Sequence, residues 1–351
     1  MKYLIVKPSS LGDILHAMPA VSALSKSGKD VVIDWVVKPA FADLPKYLPC
    51  VRRVILFCDK KMRNPLTMLP EIMKFRKAIR QEHYDAVIDL QGLVRSAIIG
   101  RLADADVCAG PENPREPKAK RIYTRLLNTA GDREKIHAVE FNNGLIASFL
   151  NVPCQDLDFS MTLTPHRVAG GIVRDLLDEE FGAVPAAYFV IAPGARWKTK
   201  EWPPDFFANV IRELHSLFPD VPCVLAGSRT EQEAADRICA ECAGLPVVSL
   251  CGRTSIVQLV ELIRGSAAMV CNDSGPMHIA AALQVPVAAL FAPTDPVRTG
   301  PYCEKKSVLM PDLTCNCCYL RYCKKPVCHE GIPASGVAEA VSTMLAGIRD
   351  I

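Results

Sequence analysis

The apolar run Ala268-Met-Val-Cys271 leads into Asn272-Asp273-Ser274-Gly275-Pro276, and small apolar residues follow to Ala282. The pattern reads as a buried strand handing over to a helix. Pro276 falls in the first helical turn, where its missing N–H costs nothing. The free N–H groups and positive end of such a helix make a site for a diphosphate. Asp273 or Ser274 serving only as a helix cap would explain the same residues.

A second strand-to-helix step lies near the start, at Lys7-Pro-Ser-Ser10-Leu-Gly12-Asp13-Ile-Leu-His16. Gly12 would permit a tight backbone turn beside a ligand. Asp13 falls at the helix start, where its carboxylate could take a proton from a hydroxyl or merely cap the helix.

A third group is Cys315-x-x-Cys318, Cys323 and Cys328, with Cys317 and His329 as spares. Four thiolates at this spacing could hold structural zinc or iron, or remain free or pairing thiols. Nothing nearby resembles a nucleophile–base pair. The other ten of the 15 cysteines lie in apolar segments, and Cys223, Cys251 and Cys271 read as small buried hydrophobes. The chain has no GxGxxG, GxxxxGK[ST] or HExxH, which argues against an ordinary NAD-dependent dehydrogenase and a phosphate-loop NTPase.

These residues need a frame to position them. Tyr3–Val6, Val31–Val37, Val54–Phe57 and Ala86–Leu90 are short and β-branched, and helical spacing fills Ile14–Leu24 and Leu69–Ile79 between them. Pro111, Pro114 and Pro117 interrupt the pattern, with helices expected near 118–130 and 137–150. Strands resume at Tyr188–Ala192, Cys223–Ala226, Val247–Leu250, Ala267–Cys271 and Val287–Phe291, separated by helical periods at 204–217, 230–242, 255–264 and 276–283. A terminal helix is expected at 335–348. Alternation of this kind predicts two α/β domains with parallel sheets, residues 1–165 and 166–351, with a cleft at their strand ends.

The 351 residues are half apolar and carry a net charge of +3. The balance is +6 over residues 1–165 and −3 over the remainder. Basic residues cluster at Lys60, Lys61 and Arg63, and at Arg115, Lys118, Lys120, Arg121 and Arg125. They suit solvated faces or an anionic partner such as a phosphorylated substrate or an acidic membrane surface. Aromatics are not interleaved with them, which argues against nucleic acid. Without a secretion-signal pattern or a bilayer-length apolar stretch, the expected location is the cytoplasm, including a membrane surface.

Together the segments around Asp13 and Asp273 resemble glycosyltransferase family 9, the bacterial heptosyltransferases of lipopolysaccharide core synthesis. Supporting stretches follow in order: Asp34-Trp-Val-Val, Asp85-Ala-Val-Ile-Asp-Leu-Gln-Gly-Leu-Val-Arg95-Ser96, Arg115-Glu-Pro117, His137-Ala-Val-Glu140, Lys200-Glu-Trp-Pro203 and Ala292-Pro-Thr-Asp-Pro296. The N-terminal half most resembles the type I branch, whereas Pro193-Gly194-Ala195-Arg196 is closer to other members.

The resemblance implies a GT-B architecture, two Rossmann-like domains with parallel sheets facing a central cleft. It implies inversion without an essential catalytic metal, with ADP-heptose as donor and a Kdo–lipid A-type acceptor at the cytoplasmic face of the inner membrane. Carried over residue by residue, Asp13 matches the general base and Lys200 the lysine at the donor diphosphate. Glu231 matches a carboxylate that binds ribose hydroxyls, and Asp273, Ser274, Gly275 and His278 match the donor loop. Ser10, Gly12, Lys60, Lys61, Arg63, Arg115 and His137 fall on the acceptor side, where the cations suit phosphates and carboxylates. Other outcomes remain open: a different donor or acceptor (type II-like, protein or capsule glycosylation), or a sugar-nucleotide-binding protein without transferase activity.

Overall fold

The structure is a computed structural model that describes residues 1–59, 61, 65–129, 131–324, 327–329 and 331–346. The chain divides into two compact units, Met1–Thr164 and Pro165–Ile351.

The first unit runs β1 (Lys2–Val6), α1 (Leu11–Lys26), β2 (Val32–Val37), β3 (Val51–Leu56), α2 (Pro65–Ile79), β4 (His83–Asp89), α3 (Val94–Leu102), β5 (Asp104–Pro111), β6 (Arg125–Leu127) and α4 (Ala138–Leu150). Its six strands form one sheet in the order β3-β2-β1-β4-β5-β6, every pairing parallel. The central strands carry apolar stretches, Tyr3–Val6 in β1 and Ala86–Ile88 in β4, because both faces are covered there. Leu4, Ile5 and Val6 of β1 and Val87 and Ile88 of β4 are fully buried.

The second unit runs α5 (Arg167–Phe181), β7 (Phe189–Ala192), α6 (Pro204–Leu217), β8 (Cys223–Leu225), α7 (Gln232–Glu241), β9 (Val247–Ser249), α8 (Ile256–Arg264), β10 (Ala268–Asn272), α9 (Gly275–Ala282), β11 (Val287–Leu290), α10 (Pro296–Thr299), β12 (Lys306–Leu309) and α11 (Ala334–Leu345). The strands again form a six-stranded parallel sheet, in the order β12-β11-β10-β7-β8-β9. Counted within the unit, this is the order of the first sheet read from the other edge. Phe207, Val210, Ile211 and Leu214 recur at helical spacing on α6 and pack into a core with Phe189, Ile191, Val270 and Leu290 from the sheet.

Each sheet has the dinucleotide-binding strand order, with a reversal between β1 and β4 in one and between β7 and β10 in the other. Ligands of open α/β sheets bind beyond the carboxyl ends of the strands at such a reversal. Both strand-to-helix steps singled out in the sequence begin there.

The structure departs from expectation in several places. Among the described residues, 118–129 do not form the expected α-helix. A short 3-10 turn, Pro117–Arg121, leads to the edge strand β6. The cause is Tyr123, whose ring lies where a Cβ at Gly110 would stand, and whose hydroxyl donates to Asp89 at 2.6 Å. That anchor pulls the following residues onto β5. Strands β5 and β12 escape a search for apolar runs because Asp104 and Asp106 open the first, and Lys306 and Ser307 the second, which sits on the sheet edge.

Candidate active site

In the first unit, β1 ends at Val6 and the chain turns through Lys7-Pro8-Ser9-Ser10 into α1, with a cis Ser9–Ser10 peptide. Gly12 is the second residue of α1, in the helix rather than in the tight turn expected of it. The turn precedes it, and the positive-φ glycine at this end of the sheet is Gly92.

Asp13 is the third residue of α1. Its Oδ2 accepts from the Ser10 N–H and the Ser10 hydroxyl, both at 2.8 Å, closing a capping box. The capping role is therefore real, and it also aims a fixed carboxylate at the end of β1. Burial pushes the Asp13 pKa up, but the Lys7 ammonium, the two Ser10 hydrogen bonds and the Arg115 charge outweigh it. The net shift is below the ordinary value, so the carboxylate stays ionised.

Lys7, which sequence reasoning passed over, is almost completely buried and donates to the Leu90 carbonyl at 2.5 Å, joining the ends of β1 and β4. Burial pushes its pKa down, against the pull of Asp13 and Asp89. Asp89 ends β4 and is fully buried. Its Oδ1 accepts from the Gln91 and Gly92 N–H groups, and its Oδ2 from Ser96 and Tyr123. Those bonds set the loop against which Arg115 lies: the Glu116 N–H donates to the Gly92 carbonyl at 3.0 Å. A Cβ at Gly92 would stand 3.1 Å from the Arg115 nitrogen, in a residue with φ of 71°.

Arg115 is exposed beside this loop. His137 caps α4, its Nδ1 accepting from the Val139 N–H, and its ring meets the buried His16 ring edge to face at 5.3 Å. Lys61 faces Glu71 at 3.5 Å. Lys60 and Arg63 lie outside the described residues.

In the second unit the predicted donor residues come together. Asp273 follows β10, and its Oδ2 receives the Lys200 ammonium and the Thr294 hydroxyl, each at 2.5 Å. Ser274 is the N-cap residue of α9, but its side chain makes no cap bond. Among the described residues its buried hydroxyl has no hydrogen-bond partner. Capping by side chains thus fails as an account of Asp273-Ser274: one carboxylate is taken by Lys200 and Thr294, and one hydroxyl is left over. Gly275 and Pro276 open the helix and the half-buried His278 stands one turn in.

Glu231 lies on the turn Arg229–Glu231 after β8 and is held by Ser228 and Thr230. Gly194, after β7, makes room for it, since a Cβ there would stand 2.3 Å from the Glu231 Cγ. Asn272, fully buried, links the two strand ends by donating to the Pro193 carbonyl at 2.6 Å and accepting from the Trp202 N–H. The sequence gives little sign of Asn272, whereas Thr294 lies inside the stretch Ala292–Pro296 singled out above.

The cysteine segment does not, among the described residues, assemble the zinc or iron set that its spacing could hold. Among the described residues no three His, Cys, Asp or Glu side chains are placed to hold a metal ion. Cys315, Cys318, Cys323 and Cys328 are free thiols. Burial, and then the neighbouring Cys315, Cys323 and Cys318, raise the Cys328 pKa, which favours its protonated form. The segment instead follows a loop of the sheet: the N–H groups of Cys317 and Tyr319 donate to the carbonyls of Ala292 and Pro293 at 2.9 and 2.7 Å.

With this geometry in view, similarity to known proteins decides the family. The sequence model of glycosyltransferase family 9 (heptosyltransferase) matches residues 72–329. The chain belongs to glycosyltransferase family 9. It is 31% identical over 367 residues to lipopolysaccharide heptosyltransferase 1 of Pseudomonas aeruginosa, covering 98% of each chain. Among solved structures it resembles E. coli heptosyltransferase WaaC with ADP (28% identity, TM-score 0.78, 98% of this chain and 100% of that one). It also resembles the same enzyme with ADP-2-deoxy-2-fluoro heptose (27% identity, TM-score 0.75, 98% and 99%). The family 9 chain is thus a glycosyltransferase with the GT-B fold, built from two parallel α/β units. Among the described residues no helix is long and apolar enough to cross a membrane.

Proposed function

We propose that this family 9 enzyme transfers heptose from ADP-heptose to a Kdo–lipid A-type inner-core acceptor with inversion at the anomeric carbon. The observation that carries the donor half is the Lys200–Asp273–Thr294 group beside the unpartnered Ser274 hydroxyl at the start of α9. Full-length identity to a lipopolysaccharide heptosyltransferase 1 supports the sugar and the acceptor.

In this reading Asp13 takes the proton of the acceptor hydroxyl. The hydroxyl oxygen bonds to the anomeric carbon while the bond to the β-phosphate oxygen breaks, its electron pair leaving on ADP. Negative charge grows on the leaving phosphate as that bond stretches. The Lys200 ammonium and the first N–H groups of α9 stabilise that charge most in the transition state. Glu231 binds the ribose hydroxyls, with Ser274, Gly275 and His278 completing the donor loop. Ser10, Gly12, Lys61, Arg115 and His137 form the acceptor side, together with Lys60 and Arg63. The base is thus a side chain, and the leaving-group charge is met by a side chain together with backbone N–H groups.

A lipid-linked acceptor brings in the cytoplasmic surface of the inner membrane as a partner, and we propose that α2 meets it. Met68, Leu69, Ile72 and Met73 project into solvent from this helix, with Leu69 64% and Met73 63% exposed. Exposed Lys74, Arg76, Lys77 and Arg80 follow. An apolar patch bordered by cations suits an anionic bilayer surface.

The deciding experiment is product analysis with purified protein, ADP-heptose and a Kdo2–lipid A analogue. A heptosylated product with inverted anomeric configuration is expected. Turnover of another nucleotide sugar but not ADP-heptose would refute the donor, and donor binding without turnover would leave a binding protein.

A further inference from the structure

Trp197 lies between the predicted donor lysine and the cysteine-rich segment. The Lys200 Nζ stands 4.7 Å from the centre of its indole, and the Arg321 guanidinium carbon stands 4.9 Å from the same centre. Two cations share one ring, an arrangement favoured by the ring's quadrupole but opposed by their mutual repulsion.

Arg321 is not at the end of a loose loop. The Cys317 and Tyr319 N–H groups bond to Ala292 and Pro293, and the Cys317 thiol approaches the Thr294 carbonyl at 3.7 Å. The buried Thr199 donates its hydroxyl to the Leu320 carbonyl at 2.7 Å. Thr294 holds Asp273, and Thr199 precedes Lys200, so both walls of the Lys200–Asp273 pair are tied to this segment. Cys317 and Tyr319 have φ of 58° and 56°. Two left-handed non-glycine residues so close together are uncommon and need surrounding contacts to hold them.

The charges nearby are unevenly committed. Lys200 is paired with Asp273, and Lys198 with Glu201 at 2.6 Å. Among the described residues exposed Arg321 makes no ion pair. A nucleoside diphosphate brings several negative charges to a lysine already balanced by a carboxylate. The helix end adds only about half a unit charge. A planar guanidinium with several donors is well suited to the excess.

We propose that Arg321, delivered by the cysteine-rich segment, is a second cationic ligand of the donor diphosphate. The inference rests on the donor assignment for Lys200 and Asp273, and gives that segment a role in binding the donor. The test is calorimetric binding of ADP and AMP to the unaltered chain, Arg321→Ala and Arg321→Lys. Arg321→Ala is expected to weaken ADP about tenfold, with AMP changed far less and the lysine variant intermediate. Unchanged ADP binding in Arg321→Ala, or equal losses for ADP and AMP, would overturn the inference while leaving the donor assignment standing. Failure of the unaltered chain to bind ADP would remove the donor assignment and this inference together.

Discussion

The buried Asp273 and the partly buried Lys200 form an ion pair of 2.5 Å at the end of β10, and the same carboxylate oxygen accepts the Thr294 hydroxyl. The relationship ties three separate loops to one atom. It keeps the lysine charge at the start of α9 while preventing it from being an isolated buried cation. Such a pair can be indispensable to chemistry, to folding, or to both, and the two roles separate on substitution.

Lys200→Met should lower kcat by about 10²–10³-fold, the cost of losing one preorganised group that stabilises developing charge. It should also destabilise the chain by about 3–5 kcal/mol, because Asp273 keeps its buried charge without its cation. In Lys200→Met/Asp273→Asn the urea midpoint should recover while kcat stays low. Recovery of turnover along with stability would make Lys200 a structural residue.

Asp13→Asn should retain ADP affinity to within about twofold and lose about 10²–10⁴-fold in kcat, the span typical of a missing general base. The proposed base works ionised, and its pKa is held below the ordinary aspartate value of 3.8. Its acid limb in kcat/KM should therefore lie below the usual carboxylate range, and activity should not fall as pH drops from neutral toward that range. Lys7 is the largest of the influences that lower this pKa. Lys7→Met should consequently move the limb to higher pH. A limb that stays in place would uncouple Lys7 from Asp13.

Gly194→Ala tests Glu231 without touching it. The added methyl would stand 2.3 Å from the Glu231 Cγ, in the middle of a side chain whose carboxylate is held by Ser228 and Thr230. Glu231 must swing away, and the donor KM should rise about tenfold, equivalent to about 1.4 kcal/mol, with a smaller change in kcat. An unchanged KM would remove Glu231 from the ribose.

Much of this was legible from the sequence, for a physical reason. Central parallel strands are covered on both faces, so β7 and β11 are apolar throughout and β1, β4 and β10 carry the apolar stretches Tyr3–Val6, Ala86–Ile88 and Ala268–Cys271. The functional turns follow those runs directly. Strands β5, β6 and β12 begin with charges, are short or lie toward an edge, so their pairing is fixed by partners such as Tyr123 rather than by pattern. The buried groups that organise the site, Lys7, Asp89 and Asn272, were missed because a polar residue after an apolar run reads as the start of a loop. Resemblance also does not separate roles. Asp34, in one of the matching stretches, is fully buried and serves Arg52, Arg53 and Tyr84 within the sheet. The cysteine spacing allowed a metal, yet among the described residues the side chains are not placed as a ligand set, and such placement is invisible in spacing.

The exposed face of α2 supplies the remaining prediction. Leu69 and Met73 lie one helical turn apart, and the exposed cations after them lack an exposed acidic neighbour within residues 68–80. The unaltered chain should co-sediment with vesicles containing anionic phosphatidylglycerol and much less with purely zwitterionic ones, and added salt should release it. Leu69→Ser/Met73→Ser should reduce binding more than tenfold, since burying each side chain is worth about 1.5–3 kcal/mol. ADP affinity should be unchanged. The same pair should raise KM for a vesicle-embedded acceptor and leave KM for a water-soluble acceptor analogue unchanged, because only the former requires the surface. Equal binding to both kinds of vesicle, or full binding by the double variant, would mean that α2 does not meet the membrane.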